Sequence, residues 1–108
     1  PRLEWIKAAA GLSTRLIAVD EVMAFRAVPG YTHVLTAEVE ALIRTPLRDL
    51  LPQLDPATFV QVHRNAIVNL RAVAVARRLA DGRYAIELRH GRGTVETSRS
   101  RAGMFRED

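Results

Sequence analysis

The chain alternates short apolar runs with turn residues, and most of these runs have the two-residue period of a β-strand. Strands are predicted over 14–19, 22–28, 31–37, 41–44, 72–79 and 94–98. An extended segment is predicted over 3–10, and the alternative there is the end of a linker helix from an upstream domain. The pairs Pro29-Gly30 and Asp81-Gly82 stand between such runs and predict hairpin turns, because Gly tolerates a positive φ and Pro presets its own φ. The pattern therefore predicts a mostly antiparallel β chain.

One stretch, from Phe59 to Leu70, holds a polar break between two apolar runs. Its break is His63-Arg64-Asn65, so the pattern indicates a strand, a short polar turn and a second buried segment. Arg carries a planar fork of donors, and Asn carries both a donor and an acceptor. The stretch therefore predicts a rigid frame that presents its polar tip to an anionic surface rich in hydrogen-bonding groups.

A single short helix is predicted after Thr45. An apolar stripe at positions i, i+3, i+4 and i+7 comprises Leu47, Leu50, Leu51 and Leu54. Thr45 is expected to cap the helix and Pro46 to occupy its first position. Pro52 is expected to end or kink it after about one and a half turns.

Side-chain directions follow from the strand alternation. Val73, Val75 and Leu79 are expected on one face of their strand. In the returning strand the inward residues are expected to be Tyr84, Ile86 and Leu88. Trp5, the only tryptophan, is expected to pack on the body of the domain.

Composition limits the class of protein. With 108 residues, 48% apolar and 26% charged, the chain fits one globular domain. It has no cysteine, which excludes disulfides and thiolate metal sites and fits a reducing cytosol. The net charge of +4 is unevenly spread, because residues 59–108 hold ten Arg against five acidic residues. A GC-rich genome would also favour Arg over Lys, so the uneven distribution is the stronger sign of a basic binding face.

Catalysis finds little support in the sequence. His33, His63 and His90 are not spaced as metal ligands on one element, and the chain has no nucleophile elbow and no Gly-rich phosphate loop before a helix. We expect no enzyme, no metal and no cofactor. No apolar run reaches membrane-spanning length. The chain begins with Pro1 rather than Met, so it is expected to be part of a longer protein with a regulatory domain upstream.

Residues 63–70, H-R-N-A-I-V-N-L, resemble the H-R-S-x-I-V-N segment of LytTR-type DNA-binding domains, the C-terminal output domains of many bacterial response regulators. Asp20 to Ala27 and Tyr31 to Thr36 are similar to two upstream strands of that family, and Thr97 to Arg101 resembles its closing segment. The matches follow the family order. They imply a linker or N-terminal extension over 1–12 and a LytTR-like domain over 13–108, folded as an antiparallel β sandwich or sheets with one or two short helices.

The resemblance also implies which residues meet DNA. Arg64 and Arg99 match contacting positions of the family, and a third contact falls within one residue of Thr32. Whether His63 contacts DNA or fixes the loop stays open, and Asn69 is interpreted as structural. The full set of implied DNA-binding residues is Tyr31, Thr32, His33, His63, Arg64, Asn65, Ser98, Arg99 and Arg101.

The function that these expectations favour is sequence-specific binding of double-stranded DNA by a cytoplasmic, nucleoid-associated transcription regulator. No predicted helix is both polar-faced and long enough for a major groove, so loops are expected to enter successive grooves. The resemblance further implies a dimer on direct repeats, DNA bending and an upstream receiver or sensor domain. The alternative is a basic β-rich domain that binds an acidic protein. A single-strand or RNA binder is disfavoured, because the chain has only six aromatic residues.

Overall fold

The computed structural model describes residues 2–107, which form ten strands, one short α-helix and several 3-10 turns. The strands are β1 (Trp5–Ala10), β2 (Ser13–Ala18), β3 (Val22–Val28), β4 (Tyr31–Thr36), β5 (Glu40–Ile43), β6 (Phe59–His63), β7 (Ala66–Asn69), β8 (Val73–Arg78), β9 (Tyr84–Leu88) and β10 (Thr94–Glu96). The helix α1 spans Leu47–Leu50. The 3-10 segments cover Val19–Glu21, Leu51–Gln53, Leu70–Ala72, Arg89–Gly91 and Arg99–Phe105.

A five-stranded antiparallel sheet with the order β5-β4-β3-β7-β6 forms the centre of the domain. Successive side chains of a strand point to opposite faces, so a strand of this sheet can contribute side chains to two cores. In β3, Phe25 enters one core and Ala24 the other, and in β7 Ile67 and Val68 divide in the same way. The sheet is therefore covered on both faces.

The first face is covered by the β1–β2 hairpin and by α1. Ile6 and Ile17 of the hairpin and Leu50 of the helix pack with Phe25 in one fully apolar cluster. Phe25 also contacts Phe59, with ring centroids 5.9 Å apart. This packing fixes α1 beside the strands, and the Leu stripe faces the core as predicted.

The second face is covered by a three-stranded sheet with the order β10-β9-β8. Ile86 of β9 and Val95 of β10 are buried with Leu35 and Val68 of the central sheet. Two arginines also connect the sheets at their edges. The Arg26 guanidinium donates to the carbonyl of Thr94 at 2.9 Å, and the Arg92 guanidinium donates to the carbonyl of Thr36 at 3.0 Å.

The mostly antiparallel β architecture is confirmed. β3 has the predicted bounds, and the polar break at Arg64-Asn65 is the turn between β6 and β7. β1 lies before Ser13, yet its Ile6 belongs to the core. The domain boundary at Ser13 stays a prediction. In residues 2–107 no helix is long and apolar enough to cross a membrane.

The helix start differs from the prediction. Pro46, in an extended conformation, is the N-cap, and no side chain caps the helix. The backbone carbonyl of Thr45 accepts a hydrogen bond from the Thr32 hydroxyl at 2.6 Å. The α-helix passes into a 3-10 turn at Leu51, with Pro52 inside that turn, so the helix is as short as Pro52 suggests.

Two side-chain directions were predicted wrongly. The register of β8 against β9 shifts between Val73 and Val75, and this irregularity turns Val75 outward with 51% of its surface exposed. Trp5 is 52% exposed, because it lies on the outer face of β1 while Ile6 and Ala8 fill the inner face. Tyr84, Ile86 and Leu88 are buried as predicted.

Candidate nucleic-acid interface

The turn between β6 and β7 presents Arg64 and Asn65 to solvent. Hydrogen bonds hold it from inside. The backbone amide of Asn65 donates to Nδ1 of His63 at 3.1 Å, and the side-chain amide of Gln61 donates to the carbonyl of Arg64 at 3.3 Å. The register shift between Gln61 and His63 makes room for this geometry. The side chain of His63 therefore shapes the turn, and within residues 2–107 the Arg64 guanidinium has no ion-pair or hydrogen-bond partner.

The tip of the β3–β4 hairpin is the second exposed segment. Gly30 has a φ of 78°, which an L side chain rarely adopts, so glycine is required there. Tyr31 is 40% exposed, whereas Thr32 is only 1% exposed and uses its hydroxyl within the fold. His33 is partly buried and pairs with Glu40 at 2.9 Å. In the window that the resemblance marks around Thr32, the exposed side chain is therefore Tyr31.

The third segment opens the C-terminal 3-10 helix. The amide of Ser98 donates to the carbonyl of Val62 at 2.9 Å, and Nη1 of Arg101 donates to the carbonyl of Gln61 at 3.3 Å. The Ser98 hydroxyl lies 3.3 Å from that of Ser100. Arg99 between them is exposed, and its guanidinium has no hydrogen-bond partner among the described residues. The bonds from Ser98 to Val62 and from Arg101 to Gln61 attach this segment to β6, the strand that leads into the Arg64 turn.

Backbone hydrogen bonds connect the three segments in series. The amide of Ala27, near the hairpin tip, donates to the carbonyl of Asn65 at 2.9 Å, and Ser98 is bonded to Val62 on the other side of the turn. Arg64 and Arg99 thus project from adjoining segments at one end of the molecule. Eight of the nine residues suggested by the sequence have side chains that are at least partly exposed in these three segments, and the ninth, Thr32, is buried. The eight are Tyr31, His33, His63, Arg64, Asn65, Ser98, Arg99 and Arg101.

A groove beside the hairpin tip was missed by the sequence reasoning. We call it the Tyr31 groove, and its polar lining consists of Tyr31, Arg44, Arg48, Gln61 and Arg64 with the buried Thr32 behind them. The Arg44 guanidinium lies over the Tyr31 ring, 5.3 Å from its centroid. The sequence signal for this groove is that Arg44 precedes the apolar stripe of α1 and Arg48 lies within it at a polar position.

The β8–β9 turn adds a charged cluster near Arg99. The backbone amide of Arg83, and then its guanidinium, hold the pKa of the Asp81 carboxyl below its ordinary value, and the positive charge of Arg99 contributes to the same lowering. Arg83 also donates to Glu96 at 2.8 Å. The positive charge of Arg99 thus acts on a turn whose other charges are largely paired.

Asn69 lies at the opposite end of the central sheet and serves the fold. Its side-chain amide donates to the carbonyl of Val22 at 2.9 Å, and its side-chain oxygen accepts from the amide of Arg71 at 2.9 Å. The residue is 3% exposed. The interpretation of Asn69 as structural is confirmed.

Comparison with known proteins supplies the family. The model of the LytTr DNA-binding domain matches residues 13–108. An uncharacterized response regulatory protein of Vibrio cholerae is 41% identical over 71 residues, which are 61% of this chain and 27% of that protein. The match thus spans about a quarter of the length of this curated relative.

A solved LytTr DNA-binding domain from Bacillus cereus has the same fold. It superposes with a TM-score of 0.88 at 20% sequence identity and covers 96% of this chain and 94% of the solved one. Members of this family bind DNA and are not defined by a catalytic activity. The family match covers most of the chain and agrees with the fold and with the motif at residues 63–70, so the chain belongs to the LytTr DNA-binding domain family.

Proposed function

We propose that this domain binds double-stranded DNA sequence-specifically and serves a bacterial transcription regulator. The observation that supports the proposal best is the serial connection of three exposed segments by backbone hydrogen bonds, from Ala27 to Asn65 and from Ser98 to Val62. Side chains that read bases must be held in place by a rigid scaffold, because misplacement forfeits the geometry of a bidentate contact. The antiparallel sheet provides that scaffold.

Arg64 and Arg99 are the proposed base-reading residues. Both are exposed and free of hydrogen-bond partners in the described chain, and Arg donates in bidentate fashion to the O6 and N7 atoms of guanine. Their segments adjoin one another along β6, so the two side chains would enter successive grooves on one face of the duplex. Loops carry the contacts, since α1 spans only Leu47–Leu50 and cannot fill a major groove.

The remaining residues have supporting roles in this proposal. Asn65, Ser98 and Arg101 flank the two readers and would position the domain on phosphates. At the hairpin tip Tyr31 would make the contact, since the Thr32 side chain is buried. The remaining implied residue of the tip, His33, is paired with Glu40 and would take part only if that pair opened.

The larger context is also a proposal. The Vibrio cholerae relative is a response regulatory protein, and the match covers 27% of it. We infer that this domain is likewise the output part of a response regulator with an upstream receiver domain. It would act in the cytoplasm, at the nucleoid, with two protomers on direct repeats of a short operator.

Selection from a pool of random duplexes at near-physiological salt tests the proposal. The domain should enrich a short motif, and the Arg64→Ala/Arg99→Ala variant should lose that enrichment. The matched control is Arg15→Ala/Arg71→Ala, which removes the same charge from a cavity at the far end of the central sheet. This control should recover the wild-type motif.

The alternative function is binding of an acidic protein through the basic face. It predicts weak affinity for every duplex and no enriched motif. Absence of enrichment with the wild-type domain would therefore overturn the proposal in favour of protein binding. Enrichment that survives in the Arg64→Ala/Arg99→Ala variant would retain DNA binding but reject these two residues as readers.

A further inference from the structure

The geometry points to the Tyr31 groove as a binding site for backbone phosphates of the DNA duplex, with Arg44 and Arg48 as its contacting residues. This inference rests on the proposed function and extends the interface to α1 and to the connection that precedes it. The groove adjoins the proposed base reader Arg64, which lines the same concave surface. Arg44 and Arg48 belong to neither the H-R-N-A motif nor the closing segment, so the sequence reasoning did not select them.

The charges of the groove are of one sign. Arg44, Arg48 and Arg64 line it, and its lining contains no Asp or Glu among the residues that the structure describes. Some arginines elsewhere on the domain are neutralised by a neighbouring carboxylate, as Arg77 is by Glu87 and Arg83 by Asp81. Three uncompensated cations around one concavity create a positive potential that attracts an anion.

The donors of the groove suit a phosphate better than a base edge. Gln61, its only side-chain amide, already donates to the carbonyl of Arg64, and the Thr32 hydroxyl already donates to the carbonyl of Thr45. Besides the tyrosine hydroxyl and the remaining N–H and oxygen of Gln61, the free side-chain groups are the guanidinium donors of three arginines. A phosphate offers acceptors only, whereas a base pair in the major groove presents both donors and acceptors.

The stacking of Arg44 on Tyr31 prepares this contact. A guanidinium over an aromatic ring keeps the N–H groups at its edge free, and these groups can bond phosphate oxygens in bidentate fashion. The ring centroid lies 5.3 Å from the central carbon of the guanidinium. Holding the side chain in place reduces the entropy that is lost when DNA binds.

Salt dependence of binding is the measurement that isolates phosphate contacts, because each neutralised phosphate releases counterions whatever the base sequence. For Arg44→Gln/Arg48→Gln, the slope of log K against log salt should become shallower by ~2, at ~0.9 per contact. The loss should be equal on a motif-bearing and on a random duplex. The preference for the motif should stay at its wild-type value.

The control variant is Arg15→Gln/Arg71→Gln, which removes two charges from the far end of the sheet. It should leave the salt slope near that of the wild type. Arg44 and Arg48 are exposed, and a thermal melt followed by circular dichroism would show whether their replacement leaves the fold intact. Tyr31→Leu keeps every charge but removes the stacked ring, and it should weaken binding to both duplexes alike.

The outcomes separate the two proposals. An unchanged slope in a folded Arg44→Gln/Arg48→Gln variant, or a loss equal to that of the control, would reject the groove as a phosphate site. A selective loss on the motif-bearing duplex would reject it as well, because Arg44 and Arg48 would then read bases. If the wild type enriches no motif but the slope on random duplex still falls in the variant, the groove binds phosphates and only the proposed specificity fails.

Discussion

Nδ1 of His63 accepts a hydrogen bond from the backbone amide of Asn65, 3.1 Å away, across the turn that presents Arg64. An imidazole nitrogen that accepts carries no proton, so in the neutral ring the hydrogen resides on Nε2. The histidine of the motif thus closes the turn from the side of β6. This contact favours the structural interpretation of His63 over direct contact with DNA.

Replacing His63 by alanine should loosen this turn. The loss of one hydrogen bond at a partly exposed site should lower the free energy of unfolding by about 1 kcal/mol. Because Arg64 is then less well held, affinity for the selected duplex should fall as well. Amide exchange of Asn65, followed by NMR, reports the turn directly.

The matched control for that change is His63→Asn. An Asn side-chain oxygen can accept from the amide two residues later, as in an Asx turn, and should restore part of the protection and of the affinity. If His63→Ala leaves the exchange rate of the Asn65 amide unchanged but abolishes binding, His63 contacts DNA itself.

The buried hydroxyl of Thr32 gives a second prediction. Thr32→Val retains the shape but leaves the carbonyl of Thr45 without its donor, which should cost about 1–3 kcal/mol of stability. DNA affinity, measured at a temperature where the variant is fully folded, should remain close to the wild-type value. Tyr31→Ala should behave in the opposite way, with weakened binding and a small change in stability. A folded Thr32→Val protein that has lost its affinity would make the Thr32 side chain a DNA contact.

The sequence predicted elements well where local chemistry determines them. The end of β3 follows from the Pro29-Gly30 turn, and the break between β6 and β7 follows from three successive polar residues. The inward direction of Ile86 follows from simple alternation in a strand without irregularities. In each case the information lies within a few residues of the position it decides.

Features that depend on tertiary packing escaped prediction. The irregularity that exposes Val75 arises from the pairing of β8 with β9, and the residue types around it do not predict it. The burial of Thr32 needs the carbonyl of Thr45, thirteen positions along the chain, as its partner. The Tyr31 groove likewise forms only when α1 packs beside the β3–β4 hairpin, so that Arg48 lines the same concavity as the motif residue Arg64.

Asn69 supplies a third prediction, in which a substitution lowers stability but leaves DNA affinity unchanged. Asn69→Ala removes the donor to Val22 and the acceptor for the amide of Arg71 in a buried site, and should cost about 3 kcal/mol. Asn69→Asp retains the acceptor for Arg71 but turns a buried carboxylate oxygen toward the carbonyl of Val22, so it should not restore the wild-type stability. Since Asn69 lies at the far end of the sheet, each folded variant should bind DNA like the wild type. Reduced affinity in the folded state would contradict a purely structural role.

The pH dependence of the free energy of unfolding, measured at acidic pH, tests the Asp81 cluster. The amide and guanidinium of Arg83 lower the pKa of the Asp81 carboxyl, so the folded state favours its ionised form. A lowered folded-state pKa gives a contribution that is present above the unfolded value of about 3.9 and is lost as the pH falls through the folded pKa. Asp81→Asn should therefore flatten the acid limb of the unfolding profile, by a small amount that added salt reduces further, since the carboxyl is exposed.

Titration of the Asp81 carboxyl by NMR measures the shift itself. Arg83→Gln keeps the backbone amide, the larger cause, and should raise the pKa of Asp81 only part of the way to its ordinary value. Arg99→Ala should raise it by less, because the charge of Arg99 is a weaker cause. A wild-type carboxyl that titrates at its ordinary value would contradict the geometry of this turn. A larger response to Arg99→Ala than to Arg83→Gln would mean that Arg99 lies closer to Asp81 than the structure places it, and correspondingly less free to reach the duplex.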